Sequence, residues 1–251
     1  MIREEIIYGP IKSRRFGNSL GINILPEKGK LCNFDCIYCE CGWNKDGMED
    51  KRLPSPDELK RALRTKLEGC TSSRERLDVI TFAGDGESTL HPDFPEMVDI
   101  VLSLRDEFYP GCRVVVLTNA TCIGKDKVFE ALRRVDDPVL KIDAPTSALA
   151  GLINRPQGKY DPQEVALWMK RFEGDFILQT MFLRCDTFDS SSPEVLEGWM
   201  DLVRQTKPRK LMLYTIARPT PQEGLCKIGP DEIRDLVKPL FEEGYDIQIN
   251  G

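Results

Sequence analysis

Leu31-Cys32-Asn33-Phe34-Asp35-Cys36-Ile37-Tyr38-Cys39-Glu40-Cys41-Gly42-Trp43 sets four cysteines within ten residues, a short connection after the apolar run Leu20 to Leu25. The stretch lies inside residues 29–54, which show little apolar periodicity. A loop of that length in a compact domain is usually functional or disordered, and the cysteines favour function. Three of them follow a C-x3-C-x2-C spacing, close enough to converge on one centre. Thiolates select zinc or iron–sulfur clusters, both being thiophilic. A structural zinc takes four protein ligands in a closed tetrahedron, with Cys41 as fourth donor. A four-iron cube on three cysteines instead leaves one iron open to a chelating ligand. Spacing alone leaves both readings open, along with unrelated free thiols.

Outward from this loop, apolar runs of strand length alternate with amphipathic segments of helix length, as repeated β-then-α units around a parallel sheet require. The strands read as Leu20 to Leu25, Leu77 to Ala83, Arg113 to Thr118, Val139 to Asp143, Phe176 to Phe182 and Leu211 to Ile216, with a further one at Asp246 to Ile249. Their Val, Ile, Leu and Phe content suits burial on both faces. Helices are expected at Ser55 to Glu68, Pro92 to Phe108, Lys125 to Arg134, Pro162 to Phe172, Pro193 to Thr206 and Pro230 to Glu243. Ser55-Pro56-Asp57-Glu58, Ser192-Pro193-Glu194 and Gly229-Pro230-Asp231-Glu232 carry helix-start signals. Six units are two short of a closed eightfold barrel. The expected fold is therefore α/β, a partial (β/α)6 barrel of the TIM type. No repeat, low-complexity tract or linker divides the chain, so residues 1–251 read as a single domain with the cysteine loop after the first strand.

With 41% hydrophobic and 30% charged residues, the chain can bury a sizeable core but holds no run of about 18 apolar residues that would span a bilayer. Met1-Ile2-Arg3-Glu4-Glu5 lacks the layout of a signal peptide, so a cytoplasmic protein with nine reduced cysteines is expected. A net charge of −6 provides no global field for phosphate backbones.

In β/α barrels the loops after the strands build the site. The second strand ends in Gly84-Asp85-Gly86-Glu87, where the glycines permit close backbone approach. A dinucleotide loop is excluded because Thr89 occupies the third glycine position; a plain tight turn is the alternative. Asn119 ends the third strand. Lys141 and Asp143 share a face of the fourth and either serve a ligand or neutralise each other. Gln179 and Tyr214 line a pocket or are ordinary core groups. Lys12, Arg14, Arg15, Arg155 and Arg218 either gather at the barrel opening to bind a substrate anion or are scattered solvated charge. Trp43 stands beside the loop, where it would shield a site from water. His91 reads as a turn or capping residue. Cys70, Cys112, Cys122, Cys185 and Cys226 lack metal spacing and are expected to be packing residues.

Cys32-x3-Cys36-x-Tyr38-Cys39, with its aromatic residue before the last cysteine, resembles the signature of the radical S-adenosylmethionine (SAM) superfamily. Within it, the chain is similar to the branch related to the wybutosine tricycle-forming synthase of tRNA. That similarity rests on Gly9-Pro10 through Ser13-Arg14-Arg15, Ser19-Leu20-Gly21-Ile22-Asn23, Gly84-Asp85-Gly86-Glu87, Ile153-Asn154-Arg155-Pro156, Gln179-Thr180-Met181-Phe182 and Arg218-Pro219-Thr220-Pro221. The resemblance implies a 4Fe-4S cluster on Cys32, Cys36 and Cys39, with S-adenosyl-L-methionine on the open iron. It implies that Asp85-Gly86-Glu87 corresponds to the Gly-Gly-Glu motif that grips the SAM amino group, Asp85 departing from its first glycine. Tyr38, Asn119, Lys141 and Asp143 are its further cofactor-binding candidates. Lys12, Arg14, Arg15, Trp43, Arg155, Gln179, Tyr214 and Arg218 are the substrate-binding candidates. The reaction implied is reductive cleavage of SAM to a 5′-deoxyadenosyl radical that abstracts hydrogen from a substrate, with an external electron donor such as flavodoxin or ferredoxin. A tRNA base follows the named relatives; a small metabolite, a peptide or a glycyl-radical protein is the alternative, and a zinc-stabilised binding protein a further one. Archaeal and eukaryotic tricycle-forming enzymes carry an upstream cysteine set, whereas no cysteine precedes Cys32 here, which sets their pyruvate-joining reaction apart.

Overall fold

Parallel strands buried on both faces need apolar side chains throughout, and such strands form the centre of each of two compact units. In the computed structural model, which describes residues 5–47 and 51–251, the first unit comprises Met1–Cys32, Asn44–Thr118 and Gly124–Pro138, and the second Asn33–Trp43, Asn119–Ile123 and Val139–Gly251.

The first unit opens with a hairpin of β1 (Ile7–Ser13) and β2 (Gly17–Ile22). It continues through α1 (Pro56–Ser72), β3 (Val79–Phe82), α2 (Phe94–Phe108), β4 (Arg113–Thr118) and α3 (Asp126–Leu132). Strands β2, β3 and β4 are parallel, with Leu20 level with Ile80 and Val114, and Ile22 with Phe82 and Val116. All six side chains are fully buried, each contributing about 1.5–3 kcal/mol by leaving water. Helix α1 starts where its sequence signal lies. The Ser55 hydroxyl accepts from Glu58 N at 3.3 Å and the Glu58 carboxylate accepts from Ser55 N at 2.9 Å, the reciprocal capping box. Its buried Leu59, Leu63 and Leu67 recur every fourth residue, a single helical stripe.

The second unit takes up β5 (Asp137–Lys141) from its third residue onward, then α4 (Ser147–Ile153), α5 (Pro162–Met169), β6 (Ile177–Cys185), β7 (Phe188–Asp189), α6 (Pro193–Thr206) and β8 (Lys210–Thr215). It ends with β9 (Cys226–Lys227), α7 (Pro230–Leu236), α8 (Lys238–Glu242) and β10 (Ile247–Asn250). Strands β5, β6, β8 and β10 form a parallel ladder, while β7 and β9 pair antiparallel with the end of β6. Trp199 anchors α6 onto β6: its indole donates to Thr180 Oγ1 at 3.0 Å and its ring meets Phe182 edge-on.

All six expected strands exist, and the seventh is β10. The differences are local. β1, α4 and the two-residue strands were not expected. The first expected strand is displaced toward its N-terminus, since β2 ends at Ile22 and Asn23 N then bonds Ile6 O at 2.8 Å. The last expected helix is two, because Pro239 has no N–H to continue the ladder of α7. At α6 the Ser192 hydroxyl donates to Asp189 O at 3.0 Å rather than capping the helix. Among the described residues, no helix is long and apolar enough to cross a membrane.

Candidate functional site

In the first unit, the segment leading to Cys32 lies against the turn after β3. Leu31 N donates to Asp85 O at 3.0 Å, and Glu87 N donates to Leu31 O at 2.8 Å. This clasp requires Gly86. Its φ is +139°, and a Cβ there would lie 1.8 Å from Leu31 O. The close approach that the sequence suggests at this glycine is thus made by the backbone of the cysteine loop itself. Glu87, which is 2% exposed, accepts through Oε1 from Thr89 N at 3.1 Å, from the Thr89 hydroxyl and from the Thr118 hydroxyl at 2.7 Å. Asp85 is buried, with its amide on Asn23 Oδ1 at 3.2 Å. Beyond Cys32, Asn44 Nδ2 donates to the Cys32 carbonyl at 3.1 Å. His91 follows the short turn after Glu87. Its Nδ1 accepts from Asp93 N at 3.0 Å, so Nε2 carries the proton and donates to Pro54 O, also at 3.0 Å.

In the second unit, the rest of the loop lies along the end of α4. A helix leaves its last carbonyls without intrahelical partners, and here the loop supplies them: Ile37 N bonds Ile153 O and Asp35 N bonds Asn154 O, both at 2.9 Å, while Gln157 N returns to Asn33 O at 2.8 Å. Arg155 ends the helix in the left-handed region, φ +46°.

Beneath this edge is a buried polar network. Asp143 Oδ1 accepts from Met181 N at 2.8 Å. Its Oδ2 accepts from the Tyr38 hydroxyl and from Asn154 Nδ2 at 2.7 Å, and lies 3.5 Å from Lys141 Nζ. Asn154 Nδ2 is also 3.0 Å from the Tyr38 oxygen and 3.5 Å from Cys36 Sγ. The Lys141 ammonium donates to the Tyr214 hydroxyl and sits 4.9 Å from the ring centres of both Tyr38 and Tyr214. Lys141 and Asp143 therefore do pair with each other, and Tyr38 and Tyr214 complete the shell.

Burial and charge act together on these groups. Burial pushes the Cys36 thiol up to about 11; Lys141 and the Asn154 hydrogen bond oppose the rise and Asp143 adds to it. Burial, then the Asp143 carboxylate, hold the Tyr38 phenol well above its ordinary range. For Lys141, burial disfavours the charge, but Asp143, Tyr214 and Cys36 together outweigh it, so the ammonium persists above the usual lysine range.

The remaining candidates are placed as follows. Asn119 donates to Asn33 Oδ1 at 2.8 Å and accepts from the Thr121 hydroxyl at 2.7 Å, while Asn33 donates to that same hydroxyl. It thus anchors the residue after Cys32 within the second unit. Gln179 is buried on β6, with Nε2 3.7 Å from Met212 Sδ. Arg155 lies 4.9 Å over the Trp43 ring and donates to Gln222 Oε1 at 2.8 Å; Arg218 pairs with Glu40 at 2.7 Å. Lys12, Arg14 and Arg15 are not at the strand-end face of the first unit. Lys12 lies near the end of β1, level with Asn18, and Arg14 and Arg15 on the β1–β2 turn, all at the N-terminal edge of the parallel strands, whereas Glu87 follows their C-terminal edge. Strand direction, which spacing does not reveal, separates them. Cys70, Cys112 and Cys122 are buried as expected, but Cys185 is partly exposed and Cys226 exposed, because β7 and β9 lie at the edge of β6. The supporting roles of Asn154, Thr89 and Thr118 were missed; only the Ile153-Asn154-Arg155-Pro156 stretch hinted at the first.

A family model described as the Radical SAM superfamily matches residues 27–182, more than half of the chain. The chain belongs to the radical SAM superfamily. Curated relatives include the GTPase Obg of Brachyspira hyodysenteriae, 29% identical over 99% of this chain and 35% of that one. Another is a "UPF0026 protein" of Helicobacter pylori, 27% identical over 97% of this chain and 76% of that one. The chain thus spans only about a third of the first of these. Among solved structures, a radical SAM methyltransferase from Sphaerobacter thermophilus matches with TM-score 0.68 and 16% identity, covering 92% of this chain and 66% of that one. Archaeal TYW1 matches with TM-score 0.54 and 13% identity, covering 89% and 71%. These likenesses show the α/β partial-barrel fold of radical SAM enzymes.

For members of this superfamily the cofactors are a 4Fe-4S cluster and SAM. The donors of this chain suit them: Cys32, Cys36 and Cys39 are partly exposed cysteines, unlike the buried Cys70, Cys112 and Cys122, and soft thiolates are the donors iron–sulfur clusters take. Among the described residues, no three His, Cys, Asp or Glu side chains are gathered as a ready-made metal site, so the fit rests on donor chemistry.

Proposed function

We propose that Cys32, Cys36 and Cys39 hold the 4Fe-4S cluster and that the enzyme cleaves SAM reductively to abstract hydrogen from a substrate. The observation that carries this is the double tethering of the cysteine loop: Leu31 is clasped by Asp85-Gly86-Glu87, and Cys36 touches the Asp143–Asn154 network. When bound, the cluster and SAM supply one-electron cleavage of the sulfonium to methionine and a 5′-deoxyadenosyl radical. Within this reading Glu87 receives the amino group of SAM, its orientation set by Thr89 and Thr118. Lys141 offers its ammonium to a carboxylate or ribose oxygen, while Asp143 keeps Lys141 charged. Tyr214 and Gln179 border the substrate. A low-potential one-electron carrier of the flavodoxin or ferredoxin kind supplies the electron.

The substrate that follows the family resemblance is a tRNA base, and the likeness to archaeal TYW1 agrees with it. The net charge of −6, and the placement of Lys12, Arg14 and Arg15 at the far edge of their sheet from Glu87, favour a second reading, a small metabolite or peptide. The test is anaerobic turnover with SAM and reductant. Release of 5′-deoxyadenosine is expected from the wild type and not from Cys36→Ala; full cleavage by that variant would overturn the cluster assignment. Stimulation by total tRNA with a new modified nucleoside supports the base reading. Deoxyadenosine yield unchanged by RNA, with no such nucleoside, removes it.

A further inference from the structure

Asn154 of the second unit joins the end of α4, the cysteine loop and the Asp143 network. It is 1% exposed; its own amide bonds Ala150 O at 2.8 Å, and its carbonyl accepts from Asp35 N at 2.9 Å. The residue is thus fixed at both ends of its peptide unit between α4 and the cysteine loop. Its side-chain amide has two protons and three acceptors in reach: Asp143 Oδ2 at 2.7 Å, the Tyr38 oxygen at 3.0 Å and Cys36 Sγ at 3.5 Å. One proton goes to the carboxylate. The other is directed at the Tyr38 oxygen and the Cys36 sulfur, for which 3.5 Å is a hydrogen-bond distance given the size of sulfur. Tyr38 spends its own proton on Asp143, so it meets Asn154 as an acceptor. Every neighbour of the amide thereby holds it with N–H toward sulfur.

We propose that Asn154 is a positioning residue that raises the reduction potential of the cluster through an N–H···S hydrogen bond to Cys36. The proposal rests on the reading that Cys36 is a cluster ligand. Its physical basis is that one-electron reduction adds one negative charge to the cluster and its thiolates. A donor dipole aimed at a ligand sulfur favours the more negative state, and hydrogen bonds to the sulfurs are among the determinants of iron–sulfur potentials. The electron comes from the external low-potential carrier. Asp143 and Tyr38 act one step further out, by holding the amide in that orientation.

The test uses the anaerobically reconstituted full chain without SAM. It is titrated with titanium(III) citrate while the EPR signal of the reduced cluster is followed. Asn154→Leu removes the donor at similar volume, and Asn154→Asp replaces it with an acceptor. Both midpoints are expected below that of the wild type, the Asp variant furthest, with iron content retained. A wild-type midpoint in a variant of wild-type iron content overturns the proposal, since a merely structural asparagine leaves the potential unmoved. Should neither variant keep its iron, pulsed EPR of the wild type labelled with 15N at the asparagine side-chain amide decides. A nitrogen coupling that changes isotope supports the bond, and a spectrum indifferent to the label overturns it. Failure of the underlying cluster reading looks different: Cys36→Ala would then keep all its iron.

Discussion

Each unit of the molecule buries an acid beside its part of the cysteine loop, Glu87 in the first and Asp143 in the second, and their partners differ in kind. In the first, Glu87 Oε1 accepts from an amide and two hydroxyls, which orient the group. In the second, Asp143 has donors on both oxygens and the Lys141 ammonium 3.5 Å away. Dipoles such as those at Glu87 fix the direction in which a carboxylate points. A charge already matched by a buried cation instead orders its surroundings, here Tyr38, Asn154 and Lys141. In the function proposed above, the first acid faces the ligand and the second organises its surroundings.

The largest effect expected from breaking this contrast is on stability in the second unit. Asp143→Asn leaves the Lys141 charge uncompensated in a buried site, a loss of about 3–5 kcal/mol. In a chain of this size that lowers the melting temperature by about 6–20 °C, measured by calorimetry on the apoprotein. Glu87→Gln keeps an acceptor for the threonine hydroxyls, so it should unfold near the wild-type temperature. Its deficit is expected instead in SAM affinity, roughly tenfold or more, about 1.4 kcal/mol, read by equilibrium dialysis on the iron-loaded protein. If the two variants exchanged phenotypes, the division of roles would be reversed.

The smallest effect distinguishes the units by pH. Burial lowers the pKa of His91 below its ordinary 6.5. The unfolded chain therefore binds a proton first, and the stability this residue contributes is present above 6.5 and lost as pH falls through the folded value. Lys141 behaves in the opposite sense. Its folded pKa is raised above 10.5, so its contribution is complete below 10.5 and lost only as pH rises through the folded value. Urea midpoints should thus fall between pH 7.5 and pH 5, with a shallower slope in His91→Gln, while Lys141→Met changes that acid slope little. An unchanged slope in His91→Gln would remove His91 from the account.

Much of the fold was legible because its signals are local. β4 is bounded as read, Arg113–Thr118, and α1 begins at its Ser55–Glu58 capping box. What escaped reading depends on partners distant in the chain. Helix α4 is two turns long, and its last carbonyls are satisfied by Asp35 and Ile37, more than a hundred residues earlier. Asn154 acquires meaning only from Cys36, Tyr38 and Asp143, which no spacing rule joins to it. The cysteine motif and the Gly86-Glu87 turn were visible as chemistry. That Gly86 is required by the carbonyl of Leu31 rather than by a ligand could come only from the backbone path. The placement of the arginines of the first turn depends on strand direction: they precede β2, and in a parallel sheet the loops before and after the strands lie on opposite edges.

The central claim is that Cys32, Cys36 and Cys39 carry an iron–sulfur cluster with an iron open to SAM. Anaerobic reconstitution followed by metal analysis and EPR of the reduced protein, with and without SAM, tests it most directly. The account predicts about four irons per chain and a reduced-cluster signal that changes when SAM is added. A colourless protein holding stoichiometric zinc after strictly anaerobic preparation, with no such signal, would contradict it.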